Sequence, residues 1–201
     1  MATRKIGKGL PDSLELDASE AKKQRIVSAA KAVFLKYGYS RVTMNDLAVA
    51  AGMSRPALYL VFSKKEDLFG AVIRELANEI SEKVHQGLSV IASPLDKLRF
   101  VCETWMVEPF EWTSQSAEAK EIYEGSHDFA RDAVAESVRL FECDLTEAIG
   151  LFPKGALPKG VSPSEAAHLL AAGIAGVKQS CANSADLRKK THALIATMLR
   201  T

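Results

Sequence analysis

Apolar residues recur at three- and four-residue spacing along almost the whole chain, and beta-branched alternation is absent. That period lines up one face of an α-helix, so the sequence favours helix packed on helix. The helix starts are signposted by a hydroxyl residue with an acidic residue three positions later: Thr43-Met-Asn-Asp46, Ser63-Lys-Lys-Glu66, Ser93-Pro94-Leu-Asp96 and Ser162-Pro163-Ser-Glu165. In such boxes the hydroxyl oxygen accepts an otherwise unpaired N–H of the first turn. Proline at the first helical position has no N–H to leave unpaired.

These signals predict an all-α fold of about nine helices. A first helix is expected over 19–37, with Ile26, Ala30, Val33, Phe34 and Tyr37 on one face and Gly38 as its stop. A short helix follows Thr43, another follows Ser54, and a long one runs from Ser63 to about Leu88. Further helices are expected over 94–110, 114–124, 126–150, 163–181 and 184–200, with a loop over 153–160. The expected organisation is a flexible basic arm (1–18), a three-helix helix-turn-helix unit (19–65) and a larger helical domain (66–201).

Charge divides the chain at the same place. Up to Lys65 there are twelve Lys/Arg against five Asp/Glu, and beyond it fourteen against twenty. A basic first third on an acidic remainder suits a nucleic-acid-facing module carried by a different body, although a lopsided solvated surface gives the same count. An apolar run of membrane-spanning length is missing, and no hydrophobic signal region follows the basic start, so a cytoplasmic protein without a membrane partner is expected. Cys102, Cys143 and Cys181 are few, odd in number and far apart, which fits a reducing compartment rather than a disulfide framework.

The stretch from Thr43 to Phe62 has the anatomy of a helix-turn-helix. Ala48 and Ala51 permit a close crossing, and Gly52 permits a left-handed turn. The second helix would turn Arg55, Pro56, Ala57 and Leu60 outward and Leu58 and Phe62 inward. An ordinary helical hairpin inside an all-α core would show the same pattern.

The run Arg25-Ile26, Ala30, Phe34, Gly38-Tyr39, Val42-Thr43-Met44, Leu47-Ala48, Ala51-Gly52-Met53-Ser54, Leu58-Tyr59, Phe62 and Lys65 to Phe69 resembles the N-terminal signature of the TetR family over about residues 22–70. The resemblance implies a DNA-binding transcriptional regulator without enzymatic activity, a repressor that binds a palindromic double-stranded operator as a homodimer and is released by a small effector. It implies that Thr43, Ser54, Arg55, Pro56, Ala57, Tyr59, Leu60 and Lys65 form the DNA-binding surface. Thr43, Tyr59 and Lys65 would meet phosphates, and Arg55 would meet guanine O6 and N7. Pro56, Ala57 and Leu60 are limited to apolar contacts, for instance with thymine methyls. Leu60 and Val61 depart from the aromatic and polar residues usual in the family, which removes donors from the reading surface. The arm (Arg4, Lys5, Lys8) would either enter a minor groove or remain a tail.

The family's remaining helices hold an effector and a dimer seam. Trp105, Met106, Tyr123, His127 and Phe141 are candidate pocket residues for a small, largely apolar molecule, although such a stripe can equally be core. Ala171, Gly173, Gly176, Leu194 and Met198 are candidates for a two-fold helix seam, with close packing inside one chain as the alternative. Four histidines and three cysteines show no metal-ligand spacing, and no phosphate-binding glycine loop is present, so no catalytic residue, metal or cofactor is expected.

Overall fold

The computed structural model describes residues 12–123 and 128–199, with side chains over 18–122 and 128–199. Within these bounds the chain is helical, with no strand among the described residues. Ten α-helices follow one another: α1 Asp12–Tyr37, α2 Met44–Ala50, α3 Arg55–Tyr59, α4 Lys65–Val90, α5 Pro94–Cys102, α6 Glu108–Gln115, α7 Ala117–Tyr123, α8 Arg131–Gly150, α9 Pro163–Lys178 and α10 Ser184–Met198. A π-helical turn, Glu103–Val107, joins α5 to α6 without a break, so those two read as one rod and the count becomes nine, as the periodicity predicts.

Three boundaries differ from expectation. The first helix starts at Asp12 rather than near Ser19, so residues 12–18 are helical. The rest of the expected arm, with Arg4, Lys5 and Lys8, lies outside the described residues. The rod after Pro94 runs on to Gln115, because the break falls at the extended Ser116, whose hydroxyl accepts the Ala119 N–H at 3.1 Å. Pro109 sits just past the π-turn, where a widened ladder tolerates a residue with no N–H to donate. Finally, Ser63 does not cap α4. Lys64 is the cap residue and makes no side-chain cap bond, while the Ser63 hydroxyl donates to Asp67 at 2.8 Å. Thr43, Ser93 and Ser162 each accept the N–H three residues on, and at Thr43 and Ser162 the acidic residue returns the bond to complete a capping box.

Two apolar cores share α4. Phe34, Leu47, Leu58, Leu68 and Phe69 are almost completely buried in the first, which binds α1–α3 to the start of α4. Ile122 of α7 and Ala133 of α8 also belong to that core, so the larger bundle is wedged into the N-terminal unit. The second core gathers Val84, Leu98, Val101, Leu145, Leu170, Ile174, Leu187 and Ile195 from α4, α5 and α8–α10. Burial of each such side chain contributes about 1.5–3 kcal/mol before the cost of ordering it. Helix α4 packs along α8, α8 along α9 and α9 along α10. At the crossing of α4 and α5 the Phe100 ring occupies the space that a Cβ on Gly87 would need, so the approach depends on that glycine.

Candidate functional site

The N-terminal unit presents one exposed helix. Leu47 and Ala48 of α2 are each 1% exposed, and Gly52 turns the chain with φ +67°. The Ser54 hydroxyl then accepts the Ala57 N–H at 3.3 Å and starts α3, with Pro56 in its first turn. Leu58 is fully buried and anchors α3 from below. Arg55, Pro56 and Tyr59 are exposed, Ala57 is half-buried, and Leu60 is 87% exposed. The inward and outward residues are therefore those that the pattern predicts. Within α3 the Arg55 guanidinium lies over the Tyr59 ring, 5.6 Å from its centre, and donates to the Tyr59 hydroxyl at 3.4 Å.

Thr43 stands exposed at the start of α2 and is locked by its box. Its backbone N–H and hydroxyl both donate to the Asp46 carboxylate, at 2.9 and 2.7 Å, and its hydroxyl accepts the Asp46 N–H at 3.3 Å. These bonds hold the Asp46 carboxyl below the usual carboxylate range. Lys65 occupies a place that the sequence does not disclose. Its ammonium donates to the carbonyls of Tyr39 (3.0 Å) and Val42 (2.9 Å) and sits 3.9 Å from the Tyr39 ring centre. It thus clamps the turn that delivers Thr43. Burial, reinforced by the neighbouring Glu66, pushes the Tyr39 phenol up to about 12, so it stays protonated and donates to Glu66 at 3.2 Å.

The same turn is gripped from the other side by α7, and sequence reasoning missed both residues concerned. Ser40 donates to Glu121 through its hydroxyl (2.7 Å) and its backbone N–H (3.3 Å), and Arg41 pairs with Glu118 at 3.5 Å. Their spacing of three on α7 puts the two carboxylates on one face, but nothing in a single sequence says what that face meets.

In the larger bundle a cavity of about 290 Å³ lies between α4, the π-turn, α7, α8 and the end of α9. Trp105, Met106 and Phe141 line it. The π-turn sets the direction of the first two, and such turns recur at ligand sites. The Tyr123 side chain and His127 lie outside the described residues. Ile73 and Ile122 both line this cavity and belong to the N-terminal core, so each bridges the two. Behind Trp105 is a buried Asp144, which accepts the indole N–H at 2.7 Å and the Ser81 hydroxyl at 3.0 Å. Burial pushes its carboxyl up, and those two donors and His85 partly offset the effect.

The residues chosen for a dimer seam divide. Ala171 is buried within the protomer's own core, and a Cβ on Gly173 would stand 3.5 Å from Leu194 of the same chain. Leu194 and Met198 are half-buried against that core as well. Ala171 is therefore a core residue, and the α9–α10 contact it shares is internal, because small residues there let two helices of one chain approach closely. Gly176 has open space above it, beside exposed Ala172 and Leu169, the last 59% exposed.

Among the described residues no cluster of three His, Cys, Asp or Glu is placed to hold a metal, and no helix is long and apolar enough to cross a membrane. Burial pushes the Cys102 thiol up to about 12, which keeps it protonated and a poor nucleophile.

An all-helical bundle with a short, capped, exposed second helix after a glycine turn at its N-terminal end is the arrangement seen in helix-turn-helix units. Residues 26–72 match the model of the bacterial regulatory proteins of the tetR family. An HTH-type transcriptional repressor of Mycobacterium tuberculosis is 30% identical over 126 residues, 62% of this chain and 63% of that one. The HTH-type transcriptional activator FasR of Mycolicibacterium smegmatis is 30% identical over 86 residues, 43% of this chain and 39% of that one. The chain thus spans less than two thirds of the length of these curated relatives. The crystal structure of a transcriptional regulator from Saccharomonospora viridis in complex with choline has the same fold, with a TM-score of 0.67 at 19% identity over 91% of this chain and 100% of that one.

Proposed function

We propose that this protein is a homodimeric transcriptional repressor that acts in the cytoplasm, binds a two-fold symmetric DNA operator through α3, and releases it when a small, largely apolar effector enters the α4–α8 cavity. The observation that carries this reading is α3 itself. A helix anchored by a fully buried Leu58 leaves Arg55, Pro56, Tyr59 and an 87%-exposed Leu60 in solvent, on the basic third of the chain. A folded unit has no packing reason to expose that face, whereas a major groove offers it guanine acceptors, thymine methyls and phosphates.

Two such helices must meet half-sites about 34–36 Å apart, which requires a dimer. The exposed stripe of Leu169, Ala172 and Gly176 on α9 is the candidate seam. Release follows if the effector binds better to a protomer arrangement with another spacing between the two α3 helices. The link runs through α4, which starts at Lys65 and lines the cavity, and through α7, which lines it with Ile122 and holds Ser40 and Arg41. The relative from S. viridis, captured with choline, supports a small-molecule site in this fold.

Selection of bound sequences from random DNA tests the reading. A palindromic site of two half-sites, with affinity falling steeply as salt rises, is the expected outcome. Recovery of no preferred sequence at low salt would refute it.

A further inference from the structure

The Trp105 indole is gripped at two points by one helix. Phe141 and Asp144 stand three residues apart on α8, hence on one face, and both reach this side chain. The Phe141 ring lies 5.5 Å from the indole, centre to centre, with the planes 35° apart. The Asp144 carboxylate accepts the indole N–H at 2.7 Å. Its other oxygen accepts the Ser81 hydroxyl of α4 at 3.0 Å, and the His85 imidazole, itself 3.3 Å from Glu147, lies 3.7 Å from that oxygen. Trp105 and Phe141 line the cavity, whereas Asp144 stands behind them and does not. An indole N–H can only donate, so the bond to Asp144 decides which edge of the ring is turned away from the cavity. Trp105 and Asp144 are both buried, where such a bond is little weakened by solvent.

Taking the cavity as the effector site, as proposed above, we infer that Asp144 sets its specificity at Trp105. By holding the indole N–H, the carboxylate leaves the effector only the carbon surface of that ring to rest on. The part of the effector seated there is a hydrocarbon, an aryl ring or an alkyl segment, without a hydrogen-bond acceptor. An acceptor placed against Trp105 would give up its water and gain no donor from the ring, which is how a site rejects a polar isostere. An aryl ring fits best, because the Trp105 and Phe141 rings offer it stacked or edge-on contact. Polar groups of the effector are turned towards Ser137, Lys178 and Gln179 elsewhere in the lining. Asp144 touches no effector itself; it is a positioning residue that acts through Trp105.

The test uses the full chain and two probes of one shape, naphthalene and quinoline, titrated in neutral buffer where quinoline is uncharged. They differ by a single ring nitrogen that can accept. The wild type is expected to prefer naphthalene by about ten-fold or more. Asp144→Leu combined with Ser81→Ala removes the acceptor together with the hydroxyl that shares it, and frees the indole N–H to meet quinoline. In that double variant the preference should fall by about ten-fold. Asp144→Asn, whose amide oxygen still accepts, should keep it. A second readout needs no change at this site: the Trp105 indole N–H resonance, told from that of Trp112 by Trp112→Phe, should exchange with solvent about a hundred-fold more slowly than in free tryptophan. Equal binding of the two probes by the wild type, exchange at Trp105 as fast as in free tryptophan, an unchanged preference in the double variant, or a lost preference in Asp144→Asn would overturn the inference. If naphthalene shifts the Trp105 and Met106 resonances while the preference ignores Asp144, the cavity stands and the specificity reading fails. If naphthalene does not bind, or binds without moving either resonance, the cavity is not its site and both readings fail.

Discussion

The Glu121 carboxylate of α7 accepts two hydrogen bonds from Ser40, one from its hydroxyl at 2.7 Å and one from its backbone N–H at 3.3 Å. The partners are 81 residues apart and belong to the two halves of the chain, so the turn before α2 is fastened to a helix that also lines the cavity through Ile122. Glu121→Ala removes both acceptors. We predict faster hydrogen exchange at the Ser40 amide and its neighbours in the turn, with α9 and α10 unchanged. Protection at Ser40 equal to that of the wild type would show that the contact does not order the turn. In the repressor reading, the same variant should weaken the effect of effector on operator affinity by several-fold, within the usual coupling of about 1–3 kcal/mol.

Lys65 carries a second prediction. Its ammonium donates to two carbonyls of the Tyr39–Val42 turn and lies on the Tyr39 ring, so Lys65→Ala leaves two acceptors short of a donor. A stability loss of roughly 1–3 kcal/mol is expected in urea unfolding. DNA affinity should fall similarly for every sequence, because Thr43 loses its support and any phosphate contact of Lys65 is lost with it. Unchanged stability with weakened DNA binding would assign Lys65 to phosphate alone.

Asp144 makes stability depend on pH in a particular direction. Its folded pKa is raised above the ordinary value of 3.8, chiefly by burial, so between that value and the folded pKa the native state binds more protons than the unfolded one. This group's contribution to stability is thus greatest in acid and declines as pH rises through that window. Asp144→Asn cannot titrate. The variant should lack this decline when urea midpoints are compared from about pH 4 to pH 7, and a slope equal to that of the wild type would remove Asp144 as its source.

Thr104, at the π-turn, is 2% exposed and its hydroxyl has no hydrogen-bond partner. A buried hydroxyl without a partner costs about 1–3 kcal/mol. Thr104→Val, which keeps the shape of the side chain, should therefore leave thermal stability unchanged or raise it. A clear drop in the melting temperature would mean that the hydroxyl is satisfied in solution.

Much of this fold is written locally. Three of the four hydroxyl caps, the stop at Gly38 and the Gly52 turn depend on residues within a few positions of one another, and they form as the spacing predicts. Leu58 inward and Leu60 outward follow from helical period alone. Apart from Ser63, whose competing partner is only four residues on, the features that escaped need a distant partner. Ser63 has the letters of a cap, but its hydroxyl takes Asp67 instead. Lys65 reads from the sequence as a phosphate ligand, and its contacts with a turn 23 and 26 residues away were not legible there. Ala171 has the size for a seam between protomers, yet its own chain covers it. The cavity was legible in Trp105, Met106 and Phe141 because aromatic and sulfur side chains cluster there, whereas Lys178 belongs to a helix that read as small and apolar.

If α3 reads DNA, Arg55 is the side chain that shows it most directly. Sequences selected from random DNA by the wild-type chain and by Arg55→Ala should differ at one symmetric pair of positions. The wild type would demand guanine there at about 1–3 kcal/mol, and the variant would accept other bases while keeping the rest of the site. An Arg55→Ala chain that selects the same site with the same stringency would contradict the assignment of α3 as the recognition helix.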